Sequence, residues 1–144
     1  MNNIKTISTS NDQRYMLIFR STDWYKDLSP QETQQIIDQW MAWFKNLTDQ
    51  GIAIGGNPLE NEGRIVSGKN GQVIADGPFA EAKETIGGYF MLRLDTLDEA
   101  VAIAKQCPGL PYGIKVEVRP VGEECSSSKE DRKASLAEMF QGKV

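Results

Sequence analysis

Apolar residues change their spacing several times along the chain, and each change marks an element. Between Arg14 and Arg20, Tyr15, Leu17 and Phe19 alternate with Met16 and Ile18. Strand side chains point to opposite faces in turn, so both faces of this segment are apolar. That predicts a central strand over residues 14–20, covered on both sides. Past Ser29-Pro30 the period lengthens: Ile36, Ile37, Trp40, Met41, Phe44 and Leu47 recur at helical spacing. Ser29 suits the N-cap, Pro30 the first helical position and Glu32 the capping box, while Gly51 suits the stop. The pattern predicts a long helix over 29–50. Trp43 widens its apolar stripe enough to cover a sheet and touch a second surface.

Residues 52–59 predict a second strand interrupted by Gly55, Gly56 and Pro58. Residues 64–67 and 72–75 read as the arms of a hairpin, with Asn70-Gly71 between them as a type I′ turn signal. A loop over 76–86 follows. Residues 88–94 then predict a strand with Phe90, Leu92 and Leu94 on one face and Tyr89, Met91 and Arg93 on the other. Thr96 and Glu99 form a second capping box and open a helix over 96–107, with Leu97, Ala100, Val101 and Ala104 inward and Pro108 past its end. Over 113–119, Ile114, Val116 and Val118 alternate with Lys115, Glu117 and Arg119, which predicts the last strand. Gly87-Gly88 at the start of a strand marks a bulge or a close backbone approach.

This order predicts an α+β, ferredoxin-like βαββαβ domain, with an antiparallel sheet and both helices on one face. The opposite sheet face is then half apolar and half charged. Pairing two sheets face to face would cover it and enclose a cavity between the subunits of a homodimer. The domain is expected over 14–121, after a flexible arm over 1–13 and before a polar tail over 122–144. Within the tail, Leu136, Met139 and Phe140 have the spacing of a short amphipathic helix.

Length and composition narrow the classes. A chain of 144 residues suits one domain that needs no disulfide or metal staple. Its net charge of −4 argues against a nucleic-acid partner, because phosphates must be neutralised by basic residues. No run approaches the ~20 apolar residues of a membrane span, and residues 1–13 lack the core of a signal peptide, so a cytoplasmic location is expected. Cys107 and Cys125 have no zinc-type spacing, and Cys107 reads as a small buried apolar residue. The histidine count of 0 excludes Ser-His-Asp, Cys-His and His-metal chemistry within this chain. Acid–base work would fall to carboxylates, Lys, Tyr, Cys or water, and nothing calls for a metal, nucleotide or flavin cofactor.

Asp76-Gly77-Pro78-Phe79 is followed by Ala80-Glu81-Ala82-Lys83-Glu84 and then by Ile86-Gly87-Gly88-Tyr89-Phe90. This run resembles the signature of the DGPF subgroup of YCII-related proteins. Leu97-Asp98-Glu99-Ala100 and the ending Val116-Glu117-Val118-Arg119-Pro120-Val121 resemble the same family, over roughly residues 14–121. The resemblance implies a ferredoxin-like fold that dimerises as an α/β barrel. It also implies a possible sigma-factor-related partner, because DGPF proteins tend to be associated with extracytoplasmic-function sigma factors. YCII-type relatives have been proposed to use a His–Asp pair, a mechanism this histidine-free chain cannot share.

Two functional readings follow. In the first, the chain is an acid–base enzyme acting on a small cyclic or phenolic compound. Asp76 is its general base at the mouth of the cavity, and Lys83, Glu84, Tyr89 and Arg93 bind the ligand. In the second, it is a non-catalytic ligand-binding or regulatory interaction module. Turn chemistry alone also accounts for Asp76-Gly77-Pro78, and solvated surface pairs for Glu81, Lys83 and Glu84. At a dimer cavity Arg93, Lys115, Glu117 and Arg119 would receive an anionic or phenolic ligand, and at an interface they would form intersubunit ion pairs. Trp24 and Tyr25 are candidates for a rim, and the helical spacing of Trp40 and Trp43 fits the core better than cofactor stacking.

Overall fold

Alternation in the first strand settles how the layers are built. In the computed structural model, which describes residues 13–21, 23–77 and 85–122, strand β1 spans Arg14–Ser21. Tyr15, Leu17 and Phe19 are buried along it, and Met16 and Ile18 are half-buried on its other face. Helix α1 follows over Pro30–Asp49, then strands β2 (Ala53–Pro58), β3 (Gly63–Ser67), β4 (Val73–Gly77) and β5 (Thr85–Arg93). Helix α2 (Leu97–Ala104) and strand β6 (Lys115–Val121) complete the order. The arm, the tail with its expected helix, Lys83 and Glu84 lie outside the described residues.

Four strands form one sheet in the order β2-β5-β1-β6, with every neighbouring pair antiparallel. The central strand is β1, as its two apolar faces require. Both outer strands carry a proline, Pro58 in β2 and Pro120 in β6. Helix α1 packs over β2, and α2 over β6 and β1. This is the ferredoxin-like α+β arrangement, with β3 and β4 set apart as a two-stranded ribbon.

The local signals act as their chemistry dictates. The Ser29 hydroxyl accepts from the Glu32 amide at 3.0 Å, and the Glu32 carboxylate accepts from the Ser29 amide at 2.9 Å. Thr96 and Glu99 repeat the box at α2. Gly51 takes a left-handed φ of 78° just past α1, where a Cβ would be strained. Helix α2 ends before Cys107, because the chain tightens to i→i−3 bonds at Gln106 and Cys107 ahead of Pro108. The last strand starts at Lys115 rather than 113, since Gly113 is in a left-handed turn at φ 94°.

The hairpin also differs from its simplest form. Asn70 and Gly71 both have positive φ, as the turn signal demands, but the closing pair is Ser67 with Val73. Residues 68–72 therefore make a longer loop, with Gly68 also at positive φ. Strand pairing runs on to Gly77 and resumes at Thr85, so both ends of the expected 76–86 loop belong to strands.

The core lies between the helices and the sheet. Leu17, Leu47 and Leu92 are sealed from solvent, each contributing roughly 2 kcal/mol by area removed from water. Aromatic rings tie the layers together: Phe19 meets Trp40 at 5.1 Å and Phe90 at 4.9 Å, both edge to face. Trp43 is buried, and its indole N–H donates to Gln106 at 3.0 Å, which joins α1 to the end of α2. Cys107 is 3% exposed within this core.

Candidate functional site

The described residues line a half-open cavity of about 770 Å³ between one flank of α1 and the adjoining ends of β1, β2 and β5. Helix α1 can present two surfaces because its apolar stripe is too broad for the sheet alone. Trp43 and Leu47 are buried in the core with the sheet residues and Ile36 is buried as well, while Ile37 and Met41 remain exposed on the flank beside the cavity. Trp24, Trp40, Phe44 and Phe90 supply aromatic wall. The size suits a drug-sized molecule, and pockets of this kind are typically apolar with a few polar groups.

Three glycines lie beneath the helix. Gly56, Gly87 and Gly88 all border the cavity. A Cβ on Gly56 would sit 2.9 Å from the Tyr89 carbonyl oxygen, and one on Gly88 would sit 2.9 Å from that of Asn57. Both positions require glycine because β2 and β5 approach so closely there. The register between β1 and β5 slips after Phe19, which pairs with Gly88 while Arg20 pairs with Ile86. Gly87 is the extra residue, so the double glycine carries both a bulge and a close approach.

Charge is sparse around this space. Among the described residues of the lining, Lys45 is the charged one, and Ser21, Asn57 and Tyr89 are polar. The Lys45 ammonium pairs with Asp49 at 3.0 Å, one turn along α1 and well exposed. Among the described residues, no group of three or more His, Cys, Asp or Glu is arranged to hold a metal. Burial pushes the Cys107 thiol up to about 11, against a smaller opposing pull from the Gly109 and Leu110 backbone. Such a thiol is not an activated nucleophile at neutral pH.

The residues singled out from the sequence are dispersed. Asp76 lies on β4 of the ribbon, its side chain 91% exposed, with the Arg64 guanidinium 3.6 Å away across the strand pair. Tyr89 lies on β5 opposite Ile18 and Asn57, borders the cavity, and its hydroxyl accepts from the Asn57 amide at 3.5 Å. Arg93 lies at the far end of the same strand, exposed and in register with Arg14. On β6, Glu117 is held by Arg20 at 3.0 Å and lies 3.8 Å from Arg119, so ion pairs form within this face of one chain. Trp24 borders the cavity, 6.1 Å from Trp40, while Trp43 belongs to the core. Trp40 serves both the core and the cavity.

Sequence reasoning missed Lys45 and the Ile37–Met41 flank as site residues. The signal was the excess width of the α1 stripe, which pointed to a second surface without saying where it lay. The expected cavity lay between subunits on the far sheet face. The cavity within one chain lies on the helix side.

No described helix is long and apolar enough to cross a membrane. A comparison with curated proteins finds no match. The family model of the YCII-related domain, however, matches residues 14–123, which spans every strand and helix that frames the cavity. On that match over most of its length, the chain belongs to the YCII-related domain family.

Proposed function

We propose that this chain binds a small, largely apolar molecule in the cavity beneath α1 and does not turn it over. The observation that carries this reading is the ~770 Å³ space walled by Trp24, Trp40, Phe44 and Phe90, with no carboxylate among its described lining residues. A general base must come within about 3 Å of the proton it takes. Asp76 faces solvent on the ribbon, so an acid–base role would need the ribbon to fold over the cavity. Within the family we assign the chain to the DGPF subgroup, on the run that begins at Asp76.

The working unit in this proposal is a homodimer. Met16, Ile18 and Met91 are only half-buried on the sheet face away from the helices, and a second sheet would cover them. Binding without turnover would also suit a regulatory module that reports a small molecule to a sigma-factor-related partner.

The test uses N-phenyl-1-naphthylamine, a neutral apolar fluorophore. Saturable enhancement with a dissociation constant on the order of 10 µM is expected, given the affinity typical of a ligand of that size. Ile37→Trp, on the exposed flank, narrows the cavity and should weaken binding, whereas Asp76→Asn should leave it unchanged. Loss of binding in Asp76→Asn with the fold intact would favour the enzyme reading. No saturable binding to the parent chain would end the cavity reading.

A further inference from the structure

We infer that the natural ligand of this cavity is a flat aromatic monoanion whose acidic group meets Lys45. The inference rests on the cavity being a binding site, as proposed above, and adds the chemical class of what fills it.

The first argument is charge. The described lining contains one cation, Lys45, and no anion. Among the described lining residues a cationic ligand meets no counter-charge, and an anion meets one at a single point. The chain as a whole carries −4, so its overall field opposes an incoming anion. Any preference for negative charge must therefore arise locally.

The second argument is the row on α1. Ile37, Met41 and Lys45 are spaced four residues apart and all border the cavity, so they stack along one flank. The row spans about 12 Å from Ile37 to Lys45 at 1.5 Å per residue. Its first two members are apolar and exposed, and its last carries the ammonium. A ligand matched to it has an apolar body no longer than about 12 Å and an acid at one end.

The third argument is shape. At Gly56 the Phe90 and Phe44 rings lie 2.9 and 3.0 Å from where a Cβ would sit, so ring carbon rests directly on the β2 main chain there. Aromatic rings stand around it. A wall that includes Phe19, Trp24, Trp40, Phe44, Tyr89 and Phe90 suits an aromatic body, whose flat ring can meet theirs face or edge on.

Lys45 is available for this contact at small cost. Its pair with Asp49 is exposed on both sides, at 75% and 62%, and exposed i,i+4 pairs are weak and readily exchanged.

The experiment compares two fluorophores that share one ring frame on the full chain. One is neutral N-phenyl-1-naphthylamine, and the other is 1-anilinonaphthalene-8-sulfonate, which adds an anionic group. The parent should bind the sulfonate roughly 3–10-fold more tightly than the neutral probe, the range of one partly exposed charge-assisted contact. Lys45→Met should abolish that preference while leaving the neutral probe's affinity within twofold, and Lys45→Arg should restore it. Asp49→Asn, which removes the competing carboxylate, should strengthen sulfonate binding. Far-ultraviolet circular dichroism of each variant establishes that the fold is retained. Neutral-probe binding with no sulfonate preference, or a preference that survives Lys45→Met, overturns the monoanion inference and leaves the cavity reading standing. Failure of both probes to bind overturns both.

Discussion

Gly87 and Gly88 are neighbours in β5, yet a methyl group on each meets very different surroundings. At Gly88 the added carbon would lie 2.9 Å from the Asn57 carbonyl oxygen and 3.1 Å from the Pro58 Cα. Both are main-chain atoms of β2, so no side chain can swing away. The strand must shift, and overpacking of this kind costs about 1–3 kcal/mol. At Gly87 the added carbon meets only the Phe19 carbonyl oxygen, at 4.0 Å. Its φ is not in the left-handed region, so alanine there mainly restricts the unfolded chain and gains about 0.4–1 kcal/mol. With roughly 4 °C of midpoint shift per kcal/mol for a chain of this size, Gly88→Ala should lower the thermal midpoint by about 4–12 °C. Gly87→Ala should raise it by up to about 4 °C. Thermal unfolding followed by circular dichroism, with urea titration as an independent check, measures both. Equal losses from the two substitutions would refute the claim that β2 crowding is what demands glycine at 88.

Gln106→Leu removes the acceptor of the Trp43 indole N–H and leaves a buried donor without its partner. Stability in urea titration should fall by about 1–3 kcal/mol. Ser29→Ala removes the hydroxyl that accepts from the Glu32 amide, while the residue-29 amide can still donate to the Glu32 carboxylate, and should cost about 1 kcal/mol in the same assay. A Cβ at Gly109 would lie 2.7 Å from the Trp40 ring, so Gly109→Ala should move a cavity wall from outside the cavity. Weakened neutral-probe binding with altered tryptophan emission is the expected readout. Cys107 has a folded pKa raised from 9.0 to about 11. Between those values the unfolded chain releases the thiol proton while the folded chain keeps it, so stability is complete below pH 9 and falls as pH rises towards 11. The urea stability of the parent minus that of Cys107→Ala should therefore decline between pH 9 and about 11 and be level below pH 9.

The layers were legible because burial dictates period. Tyr15, Leu17 and Phe19 set against Met16 and Ile18 marked a central strand, and the capping boxes fixed the starts of both helices within a residue. Gly87-Gly88 announced a local irregularity, since two side-chain-free residues in a strand have few other uses. Helix and strand ends were less legible. The Gly113 turn and the tightening before Pro108 depend on how the chain must turn to meet the sheet, which the hydrophobic pattern does not encode. The cavity was the least legible. It arises where the α1 flank overhangs the glycines of β2 and β5, a juxtaposition of residues far apart in sequence. The sequence pointed instead to Asp76, whose neighbours along the chain look chemical but whose side chain faces solvent.

The prolines at the two borders of the main sheet have a consequence for how copies of this protein can meet. Pro58 and Pro120 each lack an N–H, so neither outer strand offers an unbroken row of donors to an incoming strand. Side-by-side growth into a continuous multi-chain ribbon, the first step towards fibrils, is discouraged at both margins. Under the homodimer proposed above, contact through the broad sheet face would avoid these margins and close after two copies.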